Sequence, residues 1–276
     1  IYCWIWLPFA GFSQSNSDVP ALPNSFYIGL ESGMTTSALR DWATSPLFYR
    51  GKSPWFSVSF IKTKPTKRSN LDFAYSFGNF FTNTEGQVYA SQVKWFQVNY
   101  SRLYAIKRLG GNGWSFELGG ELSVFGDFRS NSSLMNNSFG NEYFATLSPS
   151  MAISKDISRK VPQEGKILFI KYKLHPRKQQ IGAYLTPGLL NAVYRNDFSY
   201  INQSSVINDP NYFANYQLTI PSGLRLRSGI DYTFFLNNRN GFQIGYEWNF
   251  YKSSFTAKSF EMASHLIKGT ILFNVK

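Results

Sequence analysis

The feature that most limits what this chain can fold into is a period of two. In NGWSFELGGELSVFGDF, residues 112–128, every second position from Trp114 reads Trp114, Phe116, Leu118, Gly120, Leu122 and Val124. The positions between them read Ser115, Glu117, Gly119, Glu121 and Ser123. Successive side chains of a β-strand point to opposite faces, so this stretch presents one oily face and one small, polar face. The same alternation recurs around Phe26–Leu30, Phe56–Phe60, Leu71–Phe77, Phe96–Tyr100, Tyr143–Ile153, Leu168–Leu174, Leu224–Phe234, Phe242–Phe250 and Ile267–Val275. No sustained 3.6-residue pattern runs through the chain, which argues against an α-helical fold.

The spacers differ in kind. TKPTKRSN (63–70), LGGNG (109–113) and NNRNG (237–241) are short and rich in Gly, Asn or Pro, as tight hairpin turns are. Longer polar spacers occupy 35–53, 81–88, 127–141, 186–221 and 252–263. Short turns at one end and long loops at the other are the pattern of a transmembrane β-barrel. The NNRNG hairpin suggests a register in which Phe234 faces Ile244, Tyr232 faces Tyr246 and Ile230 faces Trp248, oily against oily. That register sets Asp231 opposite Glu247. Pro221-Ser222-Gly223 interrupts a face that runs from Tyr212 to Phe234, so the strand either projects beyond the bilayer or turns there. Residues 175–190 show two competing phases. The expectation is therefore an all-β, antiparallel transmembrane barrel of ten strands, with twelve as the alternative.

A secreted β-sandwich also alternates, but its polar face meets bulk water. Here that face is mostly Ser, Gly, Asn and Ala, which suits a confined lumen. Charged residues make up only 16% of the chain and aromatics 18%, against about 25% charged in an ordinary soluble domain. Trp55, Phe56, Trp95, Trp114 and Trp248 read as aromatic girdles at the two membrane interfaces. Residues 1–12 are apolar and give way to Ser13-Gln14-Ser15, as a secretory signal does at its cleavage region. The expected division is a signal remnant at 1–13, a periplasmic segment at 14–24 and the barrel at 25–276. Cys3 is the one cysteine, so no disulfide or thiolate metal site can form downstream.

The GFSQ ending of the apolar leader, the repeated amphipathic strands and the last strand HLIKGTILFNVK resemble outer-membrane β-barrel proteins of Gram-negative bacteria, of the Bacteroidota type. The resemblance covers nearly all of the chain beyond the leader and implies residence in a bacterial outer membrane, among outer-membrane lipid and lipopolysaccharide. Such a final strand often ends in an aromatic residue, whereas here Asn274-Val275-Lys276 follow Phe273.

Chemistry-bearing groups are few. Some outer-membrane lipid hydrolases pair His with Ser, but Ser264 and His265 are adjacent and would face opposite sides of a strand. His265 reads as an interfacial residue and His175, before Pro176, as one at a turn or strand end; both are weak catalytic candidates. Glu117 and Glu121 lie about 13–14 Å apart at strand spacing, too far for a glycosidase pair, which needs roughly 5–10 Å. Together with Arg225, Arg227, Asp231 and Glu247 they are expected to form a lumen charge cluster. No metal-ligand spacing or cofactor fingerprint is legible.

The chain carries 28 Lys and Arg against 16 Asp and Glu, a net charge of +12. Lys62, Lys64, Lys67, Arg68, Lys107, Arg108, Lys155, Arg159, Lys160 and Lys166 bunch in turns and strand ends, where headgroup phosphate attracts cations. Nucleic-acid binding would need a basic, aromatic-lined groove, and here the aromatics are on the lipid face. The long loops carry Trp42, Phe48, Tyr49, Tyr194, Phe198 and Tyr200, candidates for contact with an envelope protein or glycan. Barrels this small are often filled by side chains, so a structural, adhesive or envelope-assembly role leads, followed by a narrow-pore channel and then a lipid-modifying hydrolase.

Overall fold

The computed structural model describes residues 24–137, 139–196, 216–255 and 259–275. β1 (Ser25–Asp41), β2 (Ser45–Lys64), β3 (Lys67–Thr84), β4 (Gln87–Ala105), β5 (Trp114–Ser130) and β6 (Phe139–Asp156) form an antiparallel meander. β7 (Gln163–Ile167) and β8 (Ile170–Leu174) make a separate hairpin. β9 (Gln179–Pro187), β10 (Leu190–Asn196), β11 (Tyr216–Thr219), β12 (Leu224–Phe235), β13 (Gly241–Lys252) and β14 (Phe260–Asn274) complete the wall. β14 pairs with β1 from Tyr27↔Asn274 to Asp41↔Phe260, and β9 pairs with both β6 and β12. The sheet is therefore a closed barrel, and closure leaves no long edge exposed.

The wall has ten staves, because β9 with β10 and β11 with β12 are each one strand broken by an irregularity. The step from Leu185 to Leu190 faces the shorter step from Met151 back to Leu147. One extra residue is thus inserted near Gly188, which is a β-bulge. Below it Thr186 is buried; above it Asn191, Val193 and Arg195 are. The bulge is why two phases compete in the sequence there. Pro221-Ser222-Gly223 likewise turns no hairpin. Gly223 has φ 68, and a Cβ added to it would sit 1.9 Å from the Lys252 carbonyl oxygen, so glycine is required where the strand bends against β13.

Three expectations are corrected. First, the β12–β13 register is shifted from the one read off the turn: Phe234 faces Phe242, Tyr232 faces Ile244 and Ile230 faces Tyr246. Asp231 therefore faces Gly245, and Glu247 faces Gly229. A slip of two residues keeps every side chain on its face, so face pairing alone could not choose between the registers. Second, most of the supposed long loops are strand. Residues 35–53 are the ends of β1 and β2 around a turn at 42–44, and 81–88 closes in a turn at 85–86. β5 continues to Ser130 before a 3-10 turn at Ser132–Asn137, and strand also enters the spacer at 186–221 from both sides. Third, Trp55 and Trp95 belong to no girdle. They are 9% and 3% exposed, inside the barrel, because Trp55 and Phe56 are adjacent and must face opposite ways.

The long connection lies on the end that carries the termini. Beyond Asp156↔Gln180 the β6–β9 ladder runs on through the Ile157 N–H to Gln179 carbonyl bond, 3.0 Å, and a two-way bridge between Arg159 and Arg177, both bonds 2.9 Å. It continues as β7–β8 and ends in a Leu168-Phe169 tip whose side chains are 83% and 84% exposed. Leu168–Leu174 is therefore half of a projecting ribbon and no part of the wall. From Asp156 to Leu168 the ribbon reaches at most about 40 Å at ~3.3 Å per residue.

β1 to β6 are 17 to 20 residues long, roughly twice the 9–11 that cross a bilayer. The outward face divides them. On β1 it reads Phe26, Ile28, Leu30, Ser32 and Met34, then Thr36, Ala38 and Arg40. On β2 it reads Phe60, Val58, Phe56 and Pro54, then Lys52 and Arg50. On β14 it reads Phe273, Ile271, Gly269 and Ile267, then His265, Ala263 and Glu261. The apolar band thus sits near the terminal end, and the excess strand projects from the opposite end. Among the described residues no helix is long and apolar enough to cross a membrane.

Candidate functional site

Inside the band the inward residues form a polar layer. Arg227 of β12 bonds Glu121 of β5 across the lumen and lies 4.0 Å from Glu247 of β13. Glu247 also accepts from the Tyr184 hydroxyl at 2.6 Å and lies 3.8 Å from Lys268, which donates to Glu31 at 2.8 Å. Arg225 donates to the Ser123 hydroxyl, and the Asn99 amide donates to Asp72 at 2.8 Å. Of the six residues read as a lumen cluster, Glu121, Arg227 and Glu247 are brought together. Arg225 sits beside them on β12. Glu117 lies nearer the terminal end, where Arg68 donates to it at 2.6 Å. Asp231 accepts from Gln243 at 2.8 Å and joins no ion pair with the other five. The alternation singled out none of Glu31, Asp72, Tyr184 or Lys268 as partners, because their roles depend on which walls face each other across the closed barrel.

A second layer closes the projecting end. Arg129 of β5 donates to Asp41 of β1 at 2.8 Å and to Glu142 of β6 at 2.5 Å, and lies 3.2 Å from Asp127. Arg195 of β10 donates to the other oxygen of Asp41 at 2.8 Å and to the Ser253 hydroxyl at 3.1 Å. Three carboxylates and two guanidiniums thus tie β1, β5, β6 and β10 across the lumen, all at most 7% exposed. In so dry a setting charge is tolerated only beside opposite charge: Arg129 lies within 3.2 Å of all three carboxylates, and Arg195 engages Asp41 and the Ser253 hydroxyl.

Between the layers lies an aromatic stopper. Phe144 of β6 meets Tyr251 of β13 edge to face at 4.0 Å, and Phe125 packs against both. Trp95 and Phe80 continue the row toward β3, and Phe260 closes it under Arg129, whose guanidinium lies 4.4 Å from the ring centre. This layer was not foreseen: Trp95 was read as a girdle residue and Phe260 as part of a long spacer, while Phe144 stands on the inward phase of a stretch read as strand and Phe80, Phe125 and Tyr251 just past the ends of others. The signal was present, since Asp127 and Arg129 continue the odd phase of Glu117 and Glu121, and Asp41 that of Glu31.

The other candidates are scattered. Tyr49 is 4% exposed and accepts a bond from Asn131 at 3.1 Å, so it lines the interior. Trp42 and Phe48 are exposed and sandwich the Arg40 guanidinium at 4.2 and 4.1 Å. Tyr194 is half-buried between Tyr143 and Tyr216. Phe198 and Tyr200 lie outside the described residues. His175 is exposed at the base of the ribbon, where its carbonyl accepts from Arg159. His265 points outward while Ser264 lines the interior. No group of acidic, His or Cys residues among those described could hold a metal.

No family model matches this chain, and no curated protein matches it. Solved structures similar to it include the transport unit of the autotransporter AIDA-I from Escherichia coli, at 9% identity and a TM-score of 0.44, covering 93% of this chain and 92% of that one. The translocator domain of the autotransporter NalP from Neisseria meningitidis is similar at 6% identity and 0.38, covering 93% and 90%. Neisserial surface protein A is similar at 10% identity and 0.35, covering 90% and 97%.

Proposed function

We propose that this chain is an outer-membrane β-barrel of a Gram-negative bacterium, of the Bacteroidota type, whose work is done on its outer surfaces and not through its lumen. On this reading residues 1–13 serve as an export signal, the β7–β8 ribbon and the barrel end that carries Ser25 and Asn274 face the periplasm, and the projecting barrel end faces outward. The observation that carries the reading is the doubly tied, aromatic-stoppered interior, which a porin's water-filled lumen does not have. The role is structural or one of envelope assembly. The ribbon, with its exposed apolar tip and two edges that pair with no other strand among the described residues, is the element suited to a periplasmic protein partner, because an exposed edge can accept another strand.

The test is conductance. Purified barrel inserted into planar bilayers should leave the membrane at its baseline. Steady ion conductance of porin size would overturn the reading and restore the channel as the leading function.

A further inference from the structure

We propose that the outer wall of β13, β14, β1 and β2, at the band edge away from the termini, is a binding site for the phosphate headgroup of a membrane lipid. The inference rests on the barrel spanning a membrane, as argued above. The strand registers line up a row of directly facing outward residues: Lys52 opposite Thr36, Thr36 opposite His265, His265 opposite Trp248. Facing side chains across such strands stand about 4.5–5.5 Å apart at Cβ. The next row outward reads Arg50, Ala38, Ala263 and Phe250, so two methyl groups leave a shallow trough between a guanidinium and a ring. The row toward the band reads Pro54, Met34, Ile267 and Tyr246, an apolar bed for acyl chains.

The polar groups of the patch converge on one ligand chemistry. The Tyr246 hydroxyl lies 2.7 Å from His265 Nδ1 and fixes the ring. With the tyrosine donating, the imidazole proton sits on Nε2, which is then a free donor. Lys52, Arg50, Thr36 and His265 can all donate, and neither of the two polar rows contains a carboxylate. Arg40 and Lys252, one row farther out, already share the carboxylate of Glu261 at 2.7 and 2.8 Å. Among the described residues Lys52 and Arg50 make no ion pair. A cluster of donors with no acceptor of negative charge beside it favours an anion with several oxygens, and the apolar bed below favours one carried on acyl chains. Elsewhere at the band edge Lys94 stands alone between Phe77 and Phe128.

The experiment is native mass spectrometry of the folded barrel in neutral detergent. Its probes are dioctanoyl phosphatidic acid, dioctanoylglycerol and inorganic phosphate. One phosphatidic acid should bind per barrel, and dioctanoylglycerol should not. Arg50→Gln with Lys52→Gln, and separately His265→Ala, should weaken binding about tenfold or more, as loss of charge-assisted bonds does. Lys94→Gln should leave it unchanged. These changes point outward from the wall, and far-UV circular dichroism verifies that each variant keeps its strands. Unchanged binding in the Arg50/Lys52 variant, equal binding of dioctanoylglycerol, or equal weakening by Lys94→Gln would overturn the site. Displacement by inorganic phosphate at equal concentration would assign the patch to free phosphate and overturn the lipid. A detergent-requiring barrel that ignores the lipid refutes the site alone, whereas a chain stable as a monomer without detergent refutes the barrel reading beneath it.

Discussion

Arg129 is held by Asp41, Glu142 and Asp127 and lies over the ring of Phe260. Arg129→Met removes one of the two guanidiniums, strands Asp127 and leaves Asp41 and Glu142 to Arg195 alone. Breaking a buried ion pair from one side typically costs about 3–5 kcal/mol. The thermal midpoint in detergent, followed by near-ultraviolet circular dichroism, should fall clearly. A midpoint within error of the parent would mean that water already solvates these groups. Phe144→Ala tests the stopper separately. Truncating a fully buried Phe costs about 3–5 kcal/mol through lost transfer energy and the cavity left behind. The alternation put Glu121, Arg227 and Glu247 on inward faces, and the closed barrel sets them within reach of one another. The same phase carries on from Glu31 to Asp41, but it could not show that Arg129 and Arg195 would meet there, because a strand's phase says which side a residue faces and nothing of what stands across the lumen.

At the scale of elements, strand identity was legible and strand length was not. Trp114 to Val124 announces a strand, yet β5 runs six residues past Val124 to Ser130. The boundary was misplaced because beyond the band the outer face turns polar, at Thr36, Lys52 and Asn79, while aromatics enter the inner face. Polarity then inverts without any break in the backbone ladder, and an eye tuned to an oily outside reads a loop. The ribbon is the opposite case, since Leu168 to Leu174 alternates like the wall but its strand pairs only with β7, in a separate sheet. A lone two-stranded ribbon is marginal on its own. Limited proteolysis of the folded protein should therefore cut within 157–178 and leave the barrel intact. Replacing 157–179 by a short turn between Asp156 and Gln180 should not unfold the barrel in detergent. Loss of the barrel on that deletion would show the ribbon to be part of its folding unit.

For the whole molecule, the decisive variable is where the bilayer sits along the barrel. β3 offers the measurement on a single strand. Phe73 is 47% exposed between Leu71 and Tyr75, within the apolar band, whereas Asn79 is exposed two positions past Phe77, on the projecting part. Both point outward, so neither substitution disturbs the lumen network. An arginine facing lipid costs about 2–4 kcal/mol near the midplane and about 0–1 near the interface. Phe73→Arg should therefore lower the unfolding free energy in lipid bilayers by several times more than Asn79→Arg. Equal costs would place the membrane elsewhere on the barrel. Equal and negligible costs would mean that the aromatic exterior faces water. The reason for expecting inequality is geometric: strands of 17 to 20 residues cannot all lie within one bilayer, and the change from Phe, Val and Leu to Thr, Lys, Asn and His along adjoining staves marks one common edge.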